Sequence, residues 1–153
     1  MNIAKGRTVE YYNKIKSNEV ADSGFTLVLL KVAEVDDTLN NHATLADLIS
    51  GGNTEADFTN YVRKDLTDAD LAALPAPDDA NNYITLDLPD ATWTSAGGVT
   101  DNTLVKVIVC YNPAVSLPVD ANTIPVAHFD FATTTNGADL TMQVNASGFY
   151  RAT

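Results

Sequence analysis

The sequence predicts an all-β fold, a single-domain β-sandwich of about eight strands. Three observations carry this. Leu104 to Tyr111, LVKVIVCY, is an apolar run interrupted only by Lys106. A run this short, rich in β-branched and aromatic residues, is right for a strand buried on both faces and too short for a self-standing helix. Turn signals close it at both ends, GGVTDN before and NPAVSLP after. Further short apolar or alternating runs recur along the chain, with little room between them for long helices. One or two short helices and an N-terminal arm complete the expectation, with 1–20 as arm and short helix and 21–153 as the sandwich domain.

In chain order, residues 1–8 are small, polar and basic and read as an arm. Val9, Tyr12 and Ile15 follow at helical spacing, with Glu10 early and Lys14 and Lys16 late, as the helix dipole favours. Thr8 to Ser17 is therefore expected as a short helix, with a strand as the alternative. Phe25 to Val32, FTLVLLKV, is the first clear strand, and its unbroken apolar character suggests a central place. EVDDTLNNHA is a polar break. Thr44 to Ile49 reads as a short helix capped by Thr44, with Asp47 three residues on and Gly51-Gly52 as the stop. Leu45, Leu48 and Ile49 form its buried stripe.

Phe58 to Leu66 is expected as a mixed strand, and Asp68 to Leu74 as one or two helical turns ended by Pro75 and Pro77. Tyr83 to Leu88 alternates as a half-buried strand does. Thr92 to Thr94 is a short strand with the single tryptophan, Trp93. Ser95 to Thr103 is a Gly-containing loop into the organising strand. After a long proline-bearing loop, Ile124 to Phe131 returns as a strand, with Pro125 at its start where a missing donor is tolerated. Asn136-Gly137 is a turn signal. Leu140 to Val144 and Phe149 to Ala152 are the last strands, separated by NASG.

Composition bounds the partners. Nine basic residues face 20 acidic ones, a net charge of −11. Nucleic acid and anionic membranes both call for clustered Lys and Arg, so neither is expected as a partner. Four of the nine bases, Lys5, Arg7, Lys14 and Lys16, lie in the first 16 residues, which leaves the rest more acidic still. Such a surface keeps a protein soluble and suits a basic protein partner. The single Cys110 permits no intrachain disulfide and sits inside an apolar strand, where it acts as a small hydrophobe. No run approaches the roughly 18 apolar residues of a membrane span. MNIAKGRTVEYYNK carries no apolar signal core, so synthesis and folding in a cytoplasm are expected.

Candidate chemistry is sparse. His128 and Asp130 lie two apart on one strand and so face the same way, as a general base oriented by a carboxylate would. A polar pair on an exposed strand face has the same pattern. His42, the other histidine, is in a loop. Acid clusters at Asp36-Asp37, Asp78-Asp79 and Asp87/Asp90 lack the spacing of a calcium loop and are ordinary turn residues. One Cys and two distant His do not make a zinc site. There is no phosphate loop, dinucleotide fingerprint or nucleophile elbow. No metal, cofactor or catalytic residue is therefore assigned, and the chain is not expected to be an enzyme. Asn145-Ala146-Ser147 is formally a glycosylation sequon but reads as a hairpin turn. Trp93 and the six tyrosines could line a sugar site, though scattered aromatics in a β-protein are mostly core.

In the C-terminal half, KVIVCYNP, IPVAHFDF, an Asn-Gly turn and ADLTMQVNASGFYRA follow one another. Upstream, FTLVLL, TLADLI, TNYVRK and TWT come in order before a Gly-containing loop. This succession, over roughly residues 23 to 152, resembles a family of small structural proteins of tailed bacteriophages. The resemblance implies a jelly-roll-like β-sandwich of the capsid decoration or cement kind, bound to the outer surface of the assembled head. It implies a homotrimer, the major capsid protein as partner, and a place in the virion. It carries no active-site motif. For such a protein, the basic arm with Lys5 and Arg7 is expected to reach along the shell or a neighbouring subunit. Tyr11, Tyr12, Ile15 and Trp93 are the expected contacts between protomers. A tail, neck or fibre-base role, and a carbohydrate-binding module, are the alternatives.

Overall fold

The computed structural model describes residues 5–72, 78 and 80–152. The fold is mainly β. Its main sheet is built on the two longest apolar runs of the sequence, β1 (Gly24–Val32) and β6 (Thr103–Asn112), which pair antiparallel from Gly24↔Asn112 to Leu30↔Lys106. β7 (Ile124–Thr134) pairs with the other side of β6. The far side of β1 is shared by two short strands, β2 (Thr54–Glu55) near its end and β3 (Lys64–Thr67) near its start. β6 is therefore central, as its continuous burial requires, and β7 is an edge. Two small antiparallel pairs complete the β structure: β4 (Ile84–Leu86) with β9 (Tyr150–Ala152), and β5 (Ala91–Trp93) with β8 (Leu140–Met142).

Alternation along β1 and β6 divides the core in two. Phe25, Leu27, Leu29, Val107, Val109 and Tyr111 join one apolar cluster with Leu86, Ala91, Trp93 and Met142 of the small pairs. Val28, Leu30, Ile108 and Cys110 face the opposite way, into a second cluster closed by Leu39, Leu45 and Leu48. Those three leucines come from two short helices, α2 (Asp36–Leu39) and α3 (Leu45–Ser50). Thr44 caps α3 as expected, its hydroxyl accepting from the Asp47 N–H at 3.1 Å. The N–H groups of Leu45 and Ala46 donate to the carbonyls of Thr123 and Asp120, so the long loop after β6 ties down the same helix end.

Four expectations need correction. Residues 5–8 are not arm: the helix expected at Thr8 to Ser17 is present but starts earlier, as α1 (Lys5–Lys16), and docks on the larger cluster through Tyr12 and Ile15, both fully buried. Phe58 to Arg63 is not strand, because Asn60 takes a positive φ of 69° and Tyr61 N–H donates to the Phe58 carbonyl, turning the chain. Extended pairing starts only at Lys64. The polar break after β1 contains α2, whose one buried apolar residue is Leu39. Asn145 to Gly148 does turn, but the strands it joins, β8 and β9, lie in different sheets, so no hairpin forms. Asn136-Gly137 likewise leads from one sheet to another, both N–H groups donating to the Ala96 carbonyl. The helical turn at Asp68 is present as α4 (Asp68–Leu71), with Thr67 and Asp70 forming its capping box, while Ala73 to Pro77 lie outside the described residues.

Candidate interaction surface

Where β7 runs along the edge, the two sides of the sheet offer different surfaces. Register places Phe129 beside Val107, on the side of the larger cluster, and His128 beside Ile108, on the other. On the first side, β7 and the segment from Met142 to Phe149 flank a groove of about 360 Å³. Val107, Val109, Phe129, Phe131, Met142 and Phe149 line it with apolar surface. Gln143 and Asn145 add polar groups to the same lining. Phe129 is 39% exposed, and its ring meets that of Phe149 edge-on, with centroids 6.1 Å apart and an interplanar angle of 89°. This is a small apolar cleft of the size that takes a few side chains or a small ligand.

The other side is polar. Lys106 reaches outward from β6 and places its ammonium 2.5 Å from Asp130 and 2.8 Å from Asp36. That contact with Lys106 holds the Asp36 carboxyl below the usual range. His128 Nε2 lies 3.3 Å from Asn40 Oδ1, and burial pushes its pKa down, toward the neutral ring. His128 and Asp130 do share a face, but Asp130 is engaged by Lys106 and His128 by Asn40. The arrangement of a carboxylate orienting an imidazole is not formed. His42 is instead the histidine with a carboxylate partner: its Nε2 is 2.7 Å from Glu34 Oε2, which also accepts from Asn53 Nδ2 at 2.7 Å. Asn53 completes the clip by donating to the Leu48 carbonyl and accepting from the Glu34 N–H. The ring packs over Gly51, where a Cβ would come within 2.4 Å of His42 Cε1. This pair locks α3 to the end of β1; no nucleophile adjoins it among the described contacts.

A second ionic knot sits beside Cys110. Arg63 spans Glu55 through Nε and Nη2, at 2.8 and 2.7 Å, and reaches Asp120 through Nη1 at 2.6 Å. Tyr61 donates to Glu55 Oε1 and accepts from the Leu29 N–H. Burial raises the Tyr61 and Cys110 pKa values, so both stay protonated and the thiol is a packing group with little nucleophilic character. The acid clusters are occupied with turn and end duties. Asp78 accepts from the N–H groups of Ala80 and Asn81, Asp87 from Leu88 N–H, and Asp90 from Val144 N–H.

Known proteins offer no guide. No family model, curated protein or solved structure matches this chain.

Three of the residues expected to meet other subunits, Tyr12, Ile15 and Trp93, join one core cluster instead. Tyr12 and Ile15 are fully buried and Trp93 is 1% exposed, its indole N–H donating to the Val62 carbonyl at 2.8 Å. All three serve the chain's own core and cannot present a contact surface. Tyr11 stacks on Tyr111, with centroids 4.3 Å apart and rings within 12° of parallel. Lys5 and Arg7 lie in the first turn of α1, and their side chains fall outside the described residues. Sequence reasoning missed the groove. Its signal is Phe129, which alternates with His128 and Asp130 and so faces the opposite side of β7.

Proposed function

We propose that this chain is a non-enzymatic structural protein of a tailed-phage virion, of the decoration or cement kind, acting on the outside of the assembled head. The observation that carries the reading is the succession of segments from FTLVLL to ADLTMQVNASGFYRA, which resembles that family in order. In this reading the two small strand pairs form the second layer of a jelly-roll-like sandwich over the main sheet. The physics suits the role. A net charge of −11 keeps the free protein dispersed, and an apolar groove at an open sheet edge gives it a place for specific contact. A protein that binds only the mature lattice stabilises that lattice by mass action. Trimerisation, the family's habit, multiplies weak contacts through effective concentration.

The test is to add the purified protein to heads of the phage that encodes it, before and after shell expansion, and to image the particles by cryo-electron microscopy. Trimeric knobs over threefold positions of expanded heads alone are the expected result, with a trimer mass by light scattering. Density confined to the tail or portal would overturn the head assignment and favour a tail, neck or fibre-base role.

A further inference from the structure

We propose that the edge of β7 and its groove take an extended segment of a partner protein. The segment has apolar side chains at alternate positions and Lys or Arg at its ends, and it adds as a strand along β7. The backbone supplies the first part of the argument. Among the described strands β7 pairs with β6 alone, so its outer edge presents unpaired N–H and C=O groups. Strand addition to such an edge draws affinity from main-chain hydrogen bonds and specificity from pockets for alternate side chains. The groove lies on the Phe129 side of that edge. Same-face side chains of an added strand recur about every 7 Å, so two neighbouring ones can enter a groove of about 360 Å³.

Charge supplies the second part. Asp90 lies by Val144 in the lining of the groove, and on the other face of the same edge two aspartates, Asp36 and Asp130, surround the single Lys106. That one lysine is held by both carboxylates, so the edge keeps a net negative charge. On a chain of net charge −11, the field here favours a basic segment over an acidic one.

The same features argue against other occupants. Register shifts near Cys110 and between Leu104 and Lys106 leave Ala127 to Asp130 as the regular part of the edge. A pairing this short falls well below the roughly 1,200 Å² of a stable protein dimer, and two acidic copies repel. A sugar stacks on a flat ring face, whereas Phe129 and Phe149 meet edge-to-face.

Peptide binding uses the isolated chain, so it can succeed or fail separately from head binding. The probe is a labelled Lys-Val-Thr-Val-Thr-Val-Lys peptide, read by fluorescence anisotropy. Saturable binding is expected, weakened at least tenfold when the valines become serines, when the lysines become glutamates, or when the backbone is N-methylated along one edge. Phe129→Lys should weaken it as much, and Phe149→Ser provides the same readout if the first variant fails to fold. No binding up to about 1 mM peptide would overturn the proposal. So would equal binding of the acidic or N-methylated peptide. A dimer that Phe129→Lys dissolves would give the edge to a second copy, and a neutral oligosaccharide displacing the peptide would give the groove to a sugar.

Discussion

On one side of β1, Phe25, Leu27 and Leu29 meet a broad apolar cluster that gathers α1, the small strand pairs and Trp93. On the other, Val28 and Leu30 meet a smaller cluster of Leu39, Leu45, Leu48, Ile108 and Cys110, with Ala33, Ile49 and Val105 packed against it. The first side closes by burial of large side chains. The second has little apolar area, supplied by two helices of four and six residues, lengths at which a helix has no stability of its own. It is fastened at its margins by polar clips: Arg63 between Glu55 and Asp120, Glu34 with His42 and Asn53, and Lys106 between two aspartates. The difference shows how a sheet buried on both faces can be closed with unequal means. Where apolar area is scarce, ionic and amide contacts fix the position of elements that hydrophobic packing alone would leave loosely placed.

Removing a large side chain from the first side should have the largest effect. Trp93→Ala deletes a buried indole and leaves the Val62 carbonyl without its donor. About 3–5 kcal/mol of stability should be lost, with no dependence on salt. Urea unfolding at low and high ionic strength checks both parts, and a loss under about 1 kcal/mol would mean that the larger cluster does not hold the fold.

Arg63→Ala attacks the second side. It leaves Glu55 and Asp120 facing each other without their common partner. A quarter of the Arg63 side chain is exposed, so the loss should fall below that of a fully buried pair, at about 1–3 kcal/mol. Unlike the Trp93 variant, this one should respond to salt, because added ions screen the two carboxylates it exposes. Equal salt responses of the two variants would contradict the division of labour drawn between the faces.

Thr44→Ala removes the hydroxyl that accepts the Asp47 N–H at the start of α3. About 1 kcal/mol should be lost, in the usual range for an N-cap, by the same unfolding measurement. That cap was legible in the sequence because capping is local: Thr44 and Asp47 act within one turn of each other. β1, β6 and β7 were legible because their apolar runs are long and bounded by turns. What escaped depends on distant partners. Tyr12 and Ile15 have the pattern of a surface helix, and only the docking of α1 against Phe25 and its neighbours makes them core. Phe129 looks like any strand aromatic until the edge position of β7 leaves it half-open. The His42–Glu34 pair joins a loop to a strand end across a polar stretch with no periodicity to read.

That pair allows the finest comparison of the two faces, since its stabilisation is present in full at neutral pH and is lost only in acid. The hydrogen bond from His42 lowers the Glu34 pKa first, with Asn53 adding to it, against a partial opposing effect of burial. The folded-state value is thus depressed below the ordinary 4.5. Folding then favours the carboxylate: the stabilisation is complete above the unfolded value and disappears as pH falls through the folded one. The acid limb of the stability curve should therefore steepen just below pH 4.5 and flatten in His42→Ala. Gly51→Ala should imitate that variant, because its Cβ would displace the His42 ring. Trp93→Ala should lower the whole curve and leave the Glu34 contribution to the acid slope unchanged. If His42→Ala keeps the wild-type slope from pH 5 to 3, Glu34 is not what fastens α3 in solution, and the second face must rest on Arg63 and its two carboxylates.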